Sequence, residues 1–272
     1  MGRTILVTGA TDGIGRRTAV RLAELGHHVI VHGRNDQRIE RVLDEIHEGN
    51  PAVSPSTVTG DFASLRDVEQ MARDLCANHP VIDVLLNNVG IYQKHREVSE
   101  DGYEMTLAVN HLAPFLLTHL LLPLVRLSDA GRIINVSSVA HIRGNLSLEN
   151  LQLEQDFDEY KAYAASKLAN VLFTVELAKR LGPRPVAHAL HPGVVSTKLL
   201  RDGFGTQGTD SLDQGTETSV FLAHQEGPLN LTGRYYVRCR PSAMHPLASN
   251  AKFCRDFYAA CAQLVGIDPL PR

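Results

Sequence analysis

The sequence predicts an α/β fold, a doubly wound parallel sheet in a single domain over residues 1–272, and three observations lead there. Short apolar runs alternate with longer amphipathic ones. The runs are apolar nearly throughout, not at every second residue. A glycine-rich segment closes the first run. At 272 residues the chain is long for one small domain and short for two, and no low-complexity linker or internal repeat divides it.

Taken in order, strands are expected at 3–8, 28–32, 55–59, 83–87, 131–136 and 185–190. Helices are expected at about 14–25, 36–48, 64–78, 102–126 and 160–181, with another from about Asp210. Helices between successive strands imply parallel pairing with right-handed crossovers. The unbroken run Val29-Ile30-Val31 implies helices on both faces of the sheet. Asp36 reads as the N-cap of the second helix. The longest apolar stretch, 112–125, contains His119 and Pro123 and falls short of the roughly 20 residues that cross a bilayer, so it reads as a buried helix.

Composition narrows the function. Apolar residues make up 43% and charged ones 21%, the net charge is −3, and no Lys/Arg block stands out, which argues against a nucleic-acid partner or an anionic membrane. A small-molecule substrate is the better expectation. Ile5-Leu6-Val7 follows a single basic residue, so the start does not read as a signal peptide, and no membrane span is expected. Cys76, Cys239, Cys254 and Cys261 have neither ligand nor disulfide spacing, which fits reduced thiols in the cytoplasm. The histidines, including His27, His28, His32, His188 and His191, form no HExxH, and no metal site is expected. There is no Gly-Lys pair for a P-loop and no GxSxG for a serine hydrolase.

Two motifs carry chemistry. In Thr8-Gly9-Ala10-Thr11-Asp12-Gly13-Ile14-Gly15, between a strand and a helix, the glycines permit a tight turn and close backbone approach, so a pyrophosphate can rest on the helix N-terminus. At the end of the second strand, Val31-His32-Gly33-Arg34-Asn35 has no acid for a ribose 2′-hydroxyl. Arg34 therefore favours a 2′-phosphate, and hence NADP over NAD. In Tyr163-Ala164-Ala165-Ser166-Lys167, residues four apart share a helix face, so the ammonium can approach the phenol and lower its pKa.

With these motifs the chain resembles the short-chain dehydrogenase/reductase family over almost its whole length. The family's TGxxxGxG is matched by Thr8 to Gly15, its adenine-side acid by Asp61, its NNAG by Asn87-Asn88-Val89-Gly90 and its helix asparagine by Asn110. Its serine corresponds to Ser138, its YxxxK to Tyr163 and Lys167, and its PGxVxT to Pro192-Gly193-Val194-Val195-Ser196-Thr197. Ser137 and Ser138 face opposite ways on a strand, and the resemblance selects Ser138. The segments 109–117, 166–173 and 232–236 are similar to the branch of retinol dehydrogenases, WW-domain oxidoreductases and protochlorophyllide reductases. No membrane anchor precedes the first strand and no WW module is present, so a soluble, microbial relative is expected. Val89 replaces the family's usual alanine.

The resemblance implies a Rossmann-type fold and hydride transfer between a nicotinamide and a carbonyl or carbinol carbon. Tyr163 would move the oxygen-bound proton, Ser138 would hold the substrate oxygen, Lys167 would bind the nicotinamide ribose and lower the Tyr163 pKa, and Asn110 would anchor a relay water. The implied cofactor bed is Gly9, Thr11, Asp12, Gly13, Ile14, Gly15, Arg34, Asn35, Asp61, Phe62, Asn87, Val89, Gly90, Tyr163, Lys167, Pro192, Val195 and Thr197. Asp61 can also cap the helix that starts near Ser64, and Asn110 can equally bridge backbone groups in a kinked helix. Substrate-side loops are expected at about 139–162, as a flap, and 198–224, as a lid. Leu199, Leu200 and Phe204 point to a lipophilic carbonyl or alcohol. The expected enzyme is an NADP(H)-dependent oxidoreductase, and the resemblance implies a homodimer or homotetramer formed through the helices at 102–126 and 160–181. The rival is a silent cofactor-binding sensor or scaffold of the same fold.

Overall fold

The computed structural model describes residues 2–225 and 231–271, so residues 1, 226–230 and 272 of the expected domain lie outside the described residues. The strands are β1 (Thr4–Val7), β2 (His28–Gly33), β3 (Ser56–Thr59), β4 (Val84–Asn87), β5 (Arg132–Val136), β6 (Val186–His191), β7 (Arg234–Val237) and β8 (Arg240–Ser242). They form one sheet in the order β3-β2-β1-β4-β5-β6-β7-β8. Every pairing is parallel except that of β7 with β8. The first six strands fall where the apolar runs predicted them. β7 and β8 were not anticipated, because Arg234-Tyr235-Tyr236-Val237 is too short to show a period.

The helices are α1 (Gly13–Glu24), α2 (Asp36–Gly49), α3 (Leu65–Asn78), α4 (Met105–Arg126), α5 (Glu159–Leu181), α6 (Leu212–His224) and α7 (Ala251–Leu264). Alternation along the strands divides the core in two. Ile5, Val7, Val29, Val31, Val84 and Leu86 pack beneath α1, α2 and α6, whereas Leu6, Ile30, Leu85 and Ile133 pack beneath α3, α4 and α5. Polar caps start the helices. Ser64 caps α3, Asp158 caps α5, and Ser211 forms a capping box with Gln214 on α6. For α2 the cap is Asn35, not Asp36. The Asn35 backbone is extended and its side chain accepts from Arg38 N at 3.0 Å. Asp36 is turned instead to Thr59, whose hydroxyl donates to it at 3.0 Å.

Helix α4 is long and apolar enough to cross a membrane, but most of it is buried in the molecule, as a core helix is. Its apolar face and that of α5, expected from the sequence as surfaces for pairing with another copy, both meet α7 within the chain. His119 Nε2 meets Tyr258 Oη at 2.6 Å, and the Arg180 guanidinium lies 4.2 Å from the Tyr258 ring centre. His111 Nε2 meets Cys261 Sγ at 3.3 Å. The segment 251–264 has an amphipathic pattern, and it was overlooked because no motif of the resemblance falls there.

Burial pushes His32, His111, His119, His188 and His191 down to about 4. The folded chain therefore holds these imidazoles neutral where the unfolded chain would bind protons, between about pH 6.5 and 4. Their contribution to stability is intact above that window and is lost as the pH falls through it. The urea midpoint is expected to be clearly lower at pH 5 than at pH 7.5, with protons taken up on unfolding. Equal midpoints and no proton uptake would contradict this account.

Candidate active site

β1 lies between β2 and β4, so the chain leaves it in opposite directions and a crevice opens beyond the strands' carboxyl ends. The turn from Thr8 to Gly15 lines this crevice. Gly9 has φ +64°, a conformation that disfavours a side chain. A β-carbon on Gly15 would stand 2.2 Å from Gly9 O and 2.3 Å from Asn88 Nδ2, so the turn tolerates none there. Asp12 accepts from Gly13 N at 2.7 Å and starts α1. The half-buried Ile14 packs towards Gly215 of α6.

Two residues outside the expected set hold this turn. Gly9 N donates to His32 Nδ1 at 3.0 Å, and His32 Nε2 faces Gly60 O at 3.0 Å. A carbonyl only accepts, so Nε2 carries the hydrogen and Nδ1 is free to receive Gly9. Asn88 Nδ2 donates to Thr8 O at 2.8 Å and to Gly9 O at 3.3 Å. A lone histidine on an apolar strand looks like core, so no sequence signal marked His32. Asn88 lies within the NNAG-like segment, and the resemblance assigns its side chain no role. Asn87 is buried and donates to Thr118 Oγ1 at 3.0 Å and Asn135 Oδ1 at 2.9 Å, so its side chain supports the bed from beneath. Val89 N donates to Thr8 Oγ1 at 3.2 Å, and its larger side chain lies against Gly9.

At the far end of the crevice, Arg34 Nη1 pairs with Asp61 Oδ2 at 3.1 Å. Asp61 also accepts from Ala63 N at 3.0 Å, while the helix cap itself is Ser64. Arg34 is 68% exposed and Asp61 38%. Such a pair contributes about 0–1 kcal/mol and gives way readily to a phosphate. Phe62 is buried and stacks on the His32 ring with centres 4.9 Å apart. Beside this end lies a cavity of about 310 Å³ lined by Thr11, Asp12, Arg16, Arg38, Arg41 and Val42. Arg16 is paired with Glu45. Arg38 and Arg41, one helical turn apart on α2, bring further cations that the sequence reading did not find. A crevice with no room for β-carbons and a cationic pocket at one end fits a phosphorylated dinucleotide.

The other end holds the reactive groups. Ser137 is buried and donates to Lys167 O at 2.7 Å. Ser138, half-buried, accepts from Ala140 N at 3.2 Å and hydrogen-bonds the Tyr163 hydroxyl. Lys167 Nζ donates to Val136 O at 3.3 Å and lies 5.5 Å from the Tyr163 ring centre. A β-carbon on Gly90 would stand 3.2 Å from that nitrogen. Burial pushes the Lys167 ammonium down to about 8 and the Tyr163 phenol up to about 12, against the Ser138 hydrogen bond. The Tyr163 phenol thus lies above its ordinary value, not below it as expected from Lys167, because desolvation dominates. Asn110 bridges the backbone, accepting from Ile91 N at 2.7 Å and donating to Ile91 O and Ser166 Oγ at 3.0 Å. It sits in a widened π turn, Ala108–Leu112, at the start of α4.

The segment from Pro192 to Thr197 runs from β6 towards α6. Val194 N donates to Asp210 Oδ2 at 2.7 Å, Val195 is buried, and Thr197 Cγ2 would stand 3.2 Å from a β-carbon on Gly13. Beyond it, the turn Leu199–Gly203 brings the Phe204 ring to 5.3 Å from Tyr163, edge to face, and to 4.5 Å from Tyr92. Tyr163 is consequently only 7% exposed. The expected flap at 139–162 is fixed at its start. A β-carbon on Gly144 would meet Ala164 O at 2.6 Å, so 139–144 packs tightly on α5. Replacing Ser138 by alanine is expected to leave the melting temperature within a few degrees and to cut turnover. Ser137→Ala leaves a buried partner short, costs roughly 1 kcal/mol, and keeps most activity. The pair is checked by calorimetry and steady-state kinetics.

A family model described as short chain dehydrogenase matches residues 3–207. The mouse protein named retinol dehydrogenase 14 is 35% identical over 289 residues, covering 98% of this chain and 86% of that one. A protein of Mycobacterium paratuberculosis has a crystal structure similar to this one, with a TM-score of 0.80, 31% identity and coverage of 99% of this chain and 95% of that one. A short chain dehydrogenase from Escherichia coli CFT073, solved with NADPH, has a TM-score of 0.73, 28% identity and coverage of 88% and 97%.

Proposed function

This chain belongs to the short-chain dehydrogenase family and is an oxidoreductase acting on CH–OH and C=O groups, and from that premise we propose that it uses NADP(H) on a lipophilic carbonyl or alcohol through Asn110, Ser138, Tyr163 and Lys167. The observation that carries this reading is the meeting of Ser138, Tyr163 and Lys167 in one dry pocket beneath Phe204. The cofactor, when bound, supplies or takes the hydride. Tyr163, protonated at neutral pH because its phenol lies near 12, gives its Oη proton to a carbonyl oxygen in reduction. Ser138, already bonded to that hydroxyl, steadies the same oxygen as its negative charge grows. Lys167 keeps a positive charge at neutral pH, which suits ribose hydroxyls and the transient phenolate.

Apolar walls support a lipophilic substrate. Tyr92, Tyr160, Leu199 and Phe204 pack around Tyr163, and the mouse relative bears the name of a retinol enzyme. NADP(H) is supported by Arg34, Arg38 and Arg41 beside the glycine turn and by the NADPH found in the Escherichia coli structure. Free thiols at Cys76, Cys239, Cys254 and Cys261 favour a reducing compartment, and we place the protein in the cytoplasm.

The test is a screen of lipophilic aldehydes and ketones that follows NADPH consumption, run beside Tyr163→Phe. The expected outcome is turnover in the native chain and a loss of about a hundredfold or more in the folded variant. Near-full turnover in Tyr163→Phe would overturn the mechanism. NADPH binding without turnover on any substrate would replace the enzyme with a sensor.

A second measurement addresses the phosphate. NADPH should bind more tightly than NADH, and Arg34→Ala and Arg38→Ala should each narrow the gap by roughly tenfold, the value of one charge-assisted hydrogen bond. Equal affinities in the native chain would remove NADP(H) from the proposal.

A further inference from the structure

A buried run of hydrogen bonds passes behind Lys167 to α7. It starts at the Asn110 carbonyl. The chain here is a π turn, and residue 114, four on from Asn110, is a proline with no N–H to offer. Asn170 supplies a donor from α5, with Nδ2 donating to Asn110 O at 3.0 Å. The same nitrogen donates to Val136 O at 3.3 Å, the oxygen that also receives Lys167 Nζ at 3.3 Å. Lys167 and Asn170 are three apart on one helix face, so the two side chains share this carbonyl by construction.

The direction of each bond follows from chemistry alone. Both amide hydrogens of Asn170 point at carbonyls, which only accept, so its Oδ1 faces His111. His111 Nδ1, 3.0 Å away, must then carry the hydrogen, and His111 Nε2 must accept from the Cys261 thiol at 3.3 Å. Burial keeps every member neutral. It pushes His111 down to about 4 and raises the thiol of Cys261. Exposure is 0% for His111, 4% for Asn170 and 1% for Cys261, so water does not compete for these bonds.

We infer that Asn170, locked by His111 against α7, is a positioning residue for Lys167, holding the Val136 carbonyl that receives the ammonium and tying it to the Asn110 backbone. A purely structural role would cost stability and nothing else. A positioning role also changes how Lys167 meets the cofactor and when it loses its proton. Tyr163 is the titratable side chain whose ring faces Lys167, and its phenol lies near 12. A change near pH 8 therefore reports Lys167.

The inference rests on the proposed use of NADP(H), and its test separates the two. The dissociation constant of NADPH is measured from nicotinamide fluorescence between pH 6.5 and 9.5, with melting curves alongside. In the native chain, affinity is expected to fall as the pH rises through about 8, where Lys167 gives up its charge. In Asn170→Leu the constant should rise roughly tenfold and its pH inflection should move by about half a unit or more, as expected when the carbonyl that Lys167 shares with Asn170 loses its second donor. His111→Asn keeps a donor near the Nδ1 position and should retain the native inflection, whereas His111→Leu should shift it. If Asn170→Leu does not fold, the two His111 variants decide. An Asn170→Leu protein with native affinity and inflection, or His111 variants that do not differ, would overturn the inference while leaving the proposed function intact. A native chain that does not bind NADPH would overturn both.

Discussion

The rest of the site depends on keeping one ammonium dry. Lys167 is 3% exposed, close to the middle of the molecule, and taking an isolated cation out of water costs several kcal/mol unless dipoles replace its hydration. The replacement is built from backbone. Val136 O at the end of β5 accepts directly, the Gly90 backbone leaves room, and the π turn of α4 stands behind. None of these partners carries a full negative charge, so Lys167 stays free to answer a passing anion. Ser137 acts on the same helix from below, bonding the Lys167 carbonyl and fixing its backbone to β5.

The two ends of the crevice are governed by opposite electrostatics. At the adenosine end, charges are exposed, screened and interchangeable, and an ion pair such as Arg34–Asp61 can open for a ligand at little cost. At the reactive end, Phe204 excludes water from Tyr163, every polar contact is stronger, and each group's ionisation moves with its burial. Between them the glycine turn is held by hydrogen bonds to His32 and from Asn88.

What could be read from the sequence follows this division. The glycine turn, Tyr163 with Lys167, and the six strands up to β6 announce themselves through local spacing, because the physics that produces them is local. Strand alternation sets Ser137 and Ser138 on opposite sides and the resemblance selects Ser138; the structure puts the buried one under Lys167 and the other against Tyr163. Pairings between distant residues left no trace. Arg34 looked like a free cation, and its partner Asp61 is 27 positions away. His32 looked like core. Asp36 looked like a cap, because the preference of Asn for the same place is nearly equal. Helix α7 was overlooked since its role is to cover α4 and α5, a fact that belongs to those helices as much as to its own sequence.

That covering has a consequence for the order in which the molecule comes together. The bond between His111 and Cys261 joins residues 150 positions apart, and such distant contacts are the slowest for a chain to find. Synthesis releases the glycine turn, the tyrosine and the lysine long before α7 leaves the ribosome. Until it does, Phe115 and His119 on α4 can reach Phe173 of α5 but not the Tyr258 ring that meets them in the finished fold. The nascent chain thus passes through a stage in which its catalytic groups already exist while one flank of its most apolar helix is still uncovered. In that interval a chaperone's grip, or a neighbour's, competes with the protein's own last turn of folding.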